Sequence, residues 1–590
     1  MNNEKDPQGE GQTSNDRSQT ETPDKGLSRR DFLKSAGGSG ALAAAMGMGL
    51  TGTLMVPAPA EADEVGPLPP NLRRVKTFQV RNNAALVYLK EKERLKRSNG
   101  DEERYTDKRA NFFKGLSQNE LGEVDLFAYA KLLKALDSGK PADFEAIPLS
   151  PFAARKLVNP QAAYAFDMTG VDSHATDSPP APSFASATAA AEIGEIYWMA
   201  ITRDVPYRDY ETDPLIAAAV TDLNAFSETV GPKENGLVTP GTLFRGETPG
   251  DLIGPWINQF LWRDVPYGAS TIEQRYFVPL AGENFMTEYT EWLNIQRGAL
   301  PTAAAIFEAT PRYINNMRAM GEYVHRDVAF QAFFNAAMIM TGFGPDALDP
   351  ANPYLNSTNQ GGFVTFGGVH VFDLVTKAAR VGLQGGWFHK WLVHRRLRPE
   401  VFAGRIENQS NGSTDYGINN EIIDSDAVAL LQEEYGNALL PQAYPEGSPL
   451  HPSYPAGHAT LSGACATILK AFFNEDFVIP EPVEASSNGL ALYPWKGENL
   501  LLGNEINKLA SNIGVGRCGG GIHYRSDGAG FAVGEAQAIG ILRDYSTTYN
   551  EDFAGFTLTK FDGEKIRIID GEVLPDPCHV RRRKDPHCRR

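Results

Sequence analysis

Three short stretches gather cations, imidazoles and glycine in a chain of 590 residues. The first is Trp387-Phe388-His389-Lys390-Trp391-Leu392-Val393-His394-Arg395-Arg396-Leu397-Arg398-Pro399. Trp387, Lys390, His394 and Leu397 follow three- and four-residue spacing, which puts them on one helix face. Pro399 biases Arg398 away from helical geometry and should end the helix there. The second stretch is His451-Pro452-Ser453-Tyr454-Pro455-Ala456-Gly457-His458-Ala459-Thr460-Leu461. A tight turn at Pro455 and Gly457, followed by an Ala-rich helix, aims unpaired amides at one point and seats an oxyanion. The third is Gly516-Arg517-Cys518-Gly519-Gly520-Gly521-Ile522-His523-Tyr524-Arg525-Ser526-Asp527. Its glycines allow close approach of backbone to a ligand, and Asp527, four residues after His523, can fix the imidazole tautomer. Read singly, the first stretch also fits a dipole-stabilised helix end, and the third fits a surface loop. Read together, Lys390, Arg398 and Arg517 can neutralise a multiply charged tetrahedral oxyanion. His523 can bond its central atom, and His458 is left for proton transfer.

Long helices must position these residues. Apolar periodicity predicts helix over Glu192–Thr202, Pro214–Val230, Ala303–Ile314, Arg318–Met340, Val371–Leu397, Ser425–Glu434, His458–Phe473, Leu500–Gly514 and Gly528–Tyr545. Alternation predicts a hairpin within Phe553–Ile569, and the breaker-rich Thr169–Ser186 reads as a long surface connection. The expected class is all-α, built of stacked helical bundles.

The formal charge is −17, with 56 Lys+Arg against 73 Asp+Glu, which argues against a bulk nucleic-acid-binding surface. A polar segment, then Arg29-Arg30 before a Gly/Ala-rich apolar run and Ala58-Pro59-Ala60, reads as a twin-arginine export signal. Residues 1–60 carry six Lys/Arg and seven Asp/Glu, so the remainder keeps −16 and should be a periplasmic or secreted protein without a membrane span. The expected division is a leader at 1–60, a helical catalytic domain at 61–570 with its motifs at 387–527, and a basic tail at 571–590. Oxidising surroundings would permit disulfides among Cys465, Cys518, Cys578 and Cys588, with Cys578/Cys588 able to close a loop in the tail.

The ordered motifs Lys390-(seven)-Arg398-Pro399, Pro455-Ala456-Gly457-His458 and Arg517-(five)-His523-(three)-Asp527 resemble those of the vanadium-dependent haloperoxidases, in particular the algal and bacterial bromoperoxidase type. Tyr197-Trp198-Met199-Ala200, Arg203-Asp204-Val205-Pro206 and Thr310-Pro311-Arg312-Tyr313 add to the resemblance. It implies two stacked four-helix bundles, a vanadate cofactor and oxidation of halide, bromide or iodide, by hydrogen peroxide to hypohalous acid that halogenates organic compounds. His523 would then be the axial vanadium ligand, oriented by Asp527. Lys390, Arg398, Arg517, Gly457 and His458 would hold the oxygens, with His458 and Lys390 serving the chemistry. Trp387 and His451 match halide-tuning positions, and a homo-oligomer, dimer or larger, is expected by the same analogy. The departure is Ala456, where the family usually carries Ser; some iodide-preferring relatives also lack it. An exported acid phosphatase, an iodide-preferring peroxidase and a non-catalytic helical scaffold are the alternatives. The seven-residue spacer, Trp387 and His451 weigh against the phosphatase.

Overall fold

A helix with apolar residues on one face buries that face, and one that is apolar all round belongs at the centre of a bundle. Gly457–Phe472 is of the second kind: every residue in it except His458 is buried. The computed structural model describes residues 68, 70–92 and 94–575. The chain divides into two units, Met1–Phe78 and Gln79–Arg590. In the first, the described part is the opening of the helix Pro70–Lys90.

In the second unit the principal helices are α1 (Ala187–Ile201), α2 (Pro214–Leu223), α3 (Met317–Arg326), α4 (Gln331–Thr341), α5 (Gly368–Phe388), α6 (Pro399–Ser410), α7 (Asp426–Tyr435), α8 (Gly457–Phe472), α9 (Leu502–Gly519) and α10 (Gly530–Ser546). They form two groups. One surrounds α8, with α5, α9 and α10 packed on it. The other surrounds α1, against which α2, α6 and α7 pack. Helix α9 touches both central helices and carries α3 on its side. Close approach of α10 to α8 depends on two glycines: a Cβ at Gly463 would enter the Phe531 backbone, and one at Gly534 would enter that of Thr460. The architecture is the helical-bundle fold expected for an all-α chain. After α10 an antiparallel sheet of β1 (Phe556–Thr559), β2 (Lys565–Ile569) and β3 (Glu572–Pro575) lies in that order. Phe556, Leu558, Ile566 and Ile568 point inward at every second position, so the expected hairpin exists and gains a third strand. Among the described residues no helix is long and apolar enough to cross a membrane.

Several expectations need correction. Ala303–Ile314 is irregular rather than helical; two of its residues pair as isolated bridges, Phe307 with Pro279 and Arg312 with Tyr276. Arg318–Met340 is two helices, because Asp327 leaves helical geometry at φ −64°, ψ 149°. Val371–Leu397 is regular only to Phe388; a π-helical turn over His389–His394 follows, and Arg395 closes it in left-handed geometry at φ 42°. Thr169–Ser186 is not a free surface loop, since Ser173, Thr176, Ser178, Ala181 and Phe184 are buried. Cys465 and Cys518 are buried free thiols. The twin-arginine segment, the Cys578/Cys588 pair and the basic run near the end lie outside the described residues.

Candidate active site

Three segments of the second unit converge where α8 begins. Through the π-helical turn, Trp387, Lys390 and His394 all reach the segment His451–Tyr454, in keeping with the shared face that spacing implied. Lys390 is fully buried and donates to the carbonyls of Pro452, at 2.8 Å, and Ser453. Trp387 lies against His451, ring centroids 4.8 Å apart, whereas His394 turns to the Tyr454 ring. Arg398 takes extended geometry at φ −84°, ψ 155°, with Pro399 opening α6, as its place before proline requires. Its guanidinium is also fully buried. It donates to the carbonyls of His451 (2.9 Å) and Ile522 (2.8 Å), to His523 Nε2 (2.9 Å) and to His451 Nδ1 (3.0 Å).

Arg517, near the end of α9, donates Nη1 to the Val324 carbonyl at 2.7 Å, while its Nε is buried without a partner. The following glycines serve packing rather than ligand approach. A Cβ at Gly519 would strike Met317, at Gly520 Tyr444, and at Gly521 Gln442. His523 donates Nδ1–H to Asp527 Oδ2 at 2.6 Å, which leaves the Nε2 lone pair facing the cations. Asp527 is held in turn by Ser453 Oγ and by Arg396 Nη1 at 3.2 Å. Ala456 is the N-cap of α8 and its side chain caps nothing, so the first-turn amides from Gly457 onward remain available to an anion. A Cβ at Gly457 would meet the Trp387 ring at 3.2 Å, so glycine there lets tryptophan close on the helix start. His458 Nε2–H donates to Asp327 Oδ1 at 3.1 Å, and its side chain, 21% exposed, opens to water, as does part of Trp387.

The electrostatics are one-sided. Arg395 pairs with Glu102, Arg396 with Glu192 and Asp527, and Arg525 with Glu195. By contrast, among the described residues the hydrogen bonds of Lys390, Arg398 and Arg517 run to carbonyls or imidazoles, and none reaches a carboxylate. Burial and the neighbouring arginines hold Lys390 well below its ordinary pKa, and burial lowers Arg398 to about 9. Burial and the same cations keep His523 and His451 neutral far below the usual imidazole range. Desolvated like charges with so little compensation are costly. They become favourable when a multiply charged anion binds among them.

Comparison with known proteins places this geometry. The family model of the VCPO second helical-bundle domain matches residues 424–550. A vanadium-dependent bromoperoxidase of Ascophyllum nodosum is 35% identical, over 88% of this chain and 96% of its own length. That of Corallina pilulifera is 31% identical, over 78% and 91%. This chain belongs to the vanadium-dependent haloperoxidases. The homohexameric structure of a second vanadate-dependent bromoperoxidase from Ascophyllum nodosum superposes with a TM-score of 0.82 at 28% identity, covering 90% of this chain and 96% of that one.

Vanadate, the family's cofactor, fits the residues present. The uncompensated cations, the unpartnered Arg517 Nε, the open amides of α8 and a neutral Nε2 form a donor set for a tetrahedral oxyanion with a nitrogen-ligated centre. All the site residues expected from sequence meet here. Asp327, Ser453 and Arg396 also belong to the site and were missed. Ser453 lies inside the second motif, where a hydroxyl two residues after His451 was a usable signal. Asp327 and Arg396 act across 131 residues each, and no local pattern carries that information.

Proposed function

We propose that this haloperoxidase oxidises bromide, and iodide, with hydrogen peroxide at a vanadate that Lys390, Arg398, Arg517, His458, His523 and the Gly457 amide would hold. The observation that carries the reading is the gathering of three buried cations, without carboxylate hydrogen bonds among the described residues, around His523, whose unprotonated Nε2 accepts only from Arg398. Bound there, vanadate supplies a Lewis acid that makes an oxygen of hydrogen peroxide electrophilic toward halide. The protein's own groups do the remainder. Asp527 keeps the proton on Nδ1, so His523 Nε2 would need no deprotonation to hold the group. Arg398, which donates to that nitrogen, swings its hydrogen bond to an oxyanion oxygen on loading. Lys390, fixed by two carbonyls, holds positive charge beside the reacting oxygen. His458, oriented by Asp327 and open to water, would accept a proton from hydrogen peroxide and return one to the product. Trp387 and His451 border the approach and set halide preference.

Hypohalous acid is the product, and organic compounds are halogenated by it. Export by the twin-arginine route, from the sequence at residues 28–60, puts the enzyme in the periplasm or outside the cell. A homo-oligomer is the proposed assembly, supported by the homohexamer of the Ascophyllum nodosum relative. The test is bromide-dependent peroxide consumption by protein stripped of vanadate and then reloaded. Activity should vanish and return, and His523→Ala should stay inactive. Bromination that survives stripping, or phosphate-ester hydrolysis as the stripped protein's main activity, would overturn the proposal.

A further inference from the structure

The last turn of α3 reaches the oxyanion seat through its backbone: the Val324 carbonyl accepts from Arg517 Nη1 at 2.7 Å. The next residue, His325, meets a carboxylate at each ring nitrogen. Glu322, on the same helix, lies 3.2 Å from Nδ1, and Glu446, in the loop before α8, lies 2.7 Å from Nε2. A ring so placed donates from both nitrogens as an imidazolium. It also stacks on Tyr444, with centroids 3.9 Å apart and planes 12° from parallel. Tyr444 is buried, donates its hydroxyl to the Gly321 carbonyl at 2.6 Å, and lies under the Arg517 guanidinium at 5.9 Å. On the α9 side the fit is close. A Cβ at Gly516 would meet Met320 at 3.1 Å and Val324 at 3.2 Å, and one at Gly520 would meet the Tyr444 hydroxyl at 2.5 Å. The loop end is fixed as well, since the Glu446 carbonyl accepts from Lys114 and from Arg155, each at 3.0 Å.

We propose that His325 is a positioning residue of the oxyanion seat: by tying the last turn of α3 to the loop before α8, it aims Arg517. This role rests on the haloperoxidase reading, which fills the seat with a tetrahedral oxyanion. His325 touches neither that ion nor Arg517, and acts through two intermediaries. A guanidinium is planar, so a carbonyl on Nη1 and an aromatic ring on its face settle which edge stays free. The free edge carries Nε, which has no partner among the described residues. Both constraints run back to His325. The carbonyl belongs to its neighbour in the chain, and the Tyr444 ring is held by the stack. The same contacts occupy the carboxylates of this region. Glu446 bonds His325, Glu322 bonds His325 and Arg326, and neither bonds Arg517. The cation is thereby oriented and left uncompensated, the two conditions under which it binds a multiply charged anion well.

Oxyanion affinity reads this role without turnover, by equilibrium dialysis of the full-length protein against vanadate and, separately, against inorganic phosphate. His325→Phe keeps a ring on Tyr444 but removes both carboxylate bonds, and it should raise the vanadate Kd about ten-fold. Glu446→Gln leaves α3 itself unaltered and should raise the Kd about five-fold; it carries the test if the first variant does not fold. In an Arg517→Ala background either substitution should change the Kd by less than about two-fold, because the residue being aimed is gone. An equal fold-change in both backgrounds would mean that the cluster acts on the whole seat through its charge. An unchanged Kd beside lowered stability would mean that the tie serves the fold alone. Either result overturns the proposal. Wild-type protein that binds phosphate but no vanadate would sink the haloperoxidase reading, and the same cycle would then be read with phosphate.

Discussion

Ala456 stands where the helix start meets the oxyanion seat. Its backbone, φ −65° and ψ 133°, has the extended geometry of an N-cap, yet a methyl group can neither cap the first turn nor donate to an anion. Ala456→Ser should therefore lower the vanadate Kd by about five-fold, the equivalent of one hydrogen bond of about 1 kcal/mol, as read by equilibrium dialysis. An unchanged Kd with raised stability would mean that the hydroxyl caps α8 instead. Lys390 tests the cost of the buried cations. Lys390→Met removes a charge that burial and two arginines already oppose. The vanadate-free variant should lose less than about 1 kcal/mol in urea unfolding, since replacing a buried charge by an apolar chain is often neutral or stabilising. Added vanadate at 100 times the wild-type Kd stabilises wild type by about 2.7 kcal/mol and should do little for the variant.

At the scale of elements, the end of α3 and the loop before α8 are tied by one histidine. His325 contacts Glu322 at 3.2 Å and Glu446 at 2.7 Å and stacks on Tyr444 at 3.9 Å. The next residue back, Val324, holds Arg517 by its carbonyl. Burial opposes protonation of His325, but the two carboxylates outweigh it and raise its pKa. Arg326 on Glu322 and Arg155 near Glu446 are the other charges facing the cluster. The raised value means this contribution is complete below about pH 6.5 and is lost as pH climbs through the folded-state pKa. Wild type should thus lose stability from pH 6 to 9 more steeply than His325→Gln, by about 1 kcal/mol over that range, measured by urea unfolding. Parallel curves would count against the clamp. The long helices around α8 were legible in sequence because each repeats its apolar pattern over three or more turns. The irregular stretch 303–314 was not, since its residues carry helix-like spacing but pair with a distant segment. The π-helical turn at His389–His394 was illegible for a related reason: Lys390 within it is held by the Pro452 and Ser453 carbonyls, groups far along the chain. Motif residues could be named from spacing alone, whereas Asp327, the partner of His458, could be seen only once α3 was placed.

Across the whole molecule, the site's charge is set against an acidic remainder, and buried histidines near it stay neutral. His389 and His394 sit behind Lys390, rings 5.8 Å apart and nearly parallel, and burial lowers both to about 3. Each stays neutral when folded but would take a proton when unfolded at any pH between about 3 and 6.5, so unfolding absorbs protons in that window. Stability must fall as pH is lowered from 6.5, by nearly 1.4 kcal/mol per pH unit for each ring. Glu192 and Glu535, whose carboxyl pKa values burial raises, act in the opposite direction and offset part of the loss. His394 makes no hydrogen bond through either ring nitrogen, so an apolar side chain of similar size gives up no partner there. His394→Leu should therefore match wild type within about 1 kcal/mol at pH 7.5 and exceed it by about 1–2 kcal/mol at pH 5, in urea unfolding at both values. A constant difference at the two pH values would mean that His394 gains its proton in the folded state, and that the cationic cluster in front of it is less well shielded from water than its burial implies.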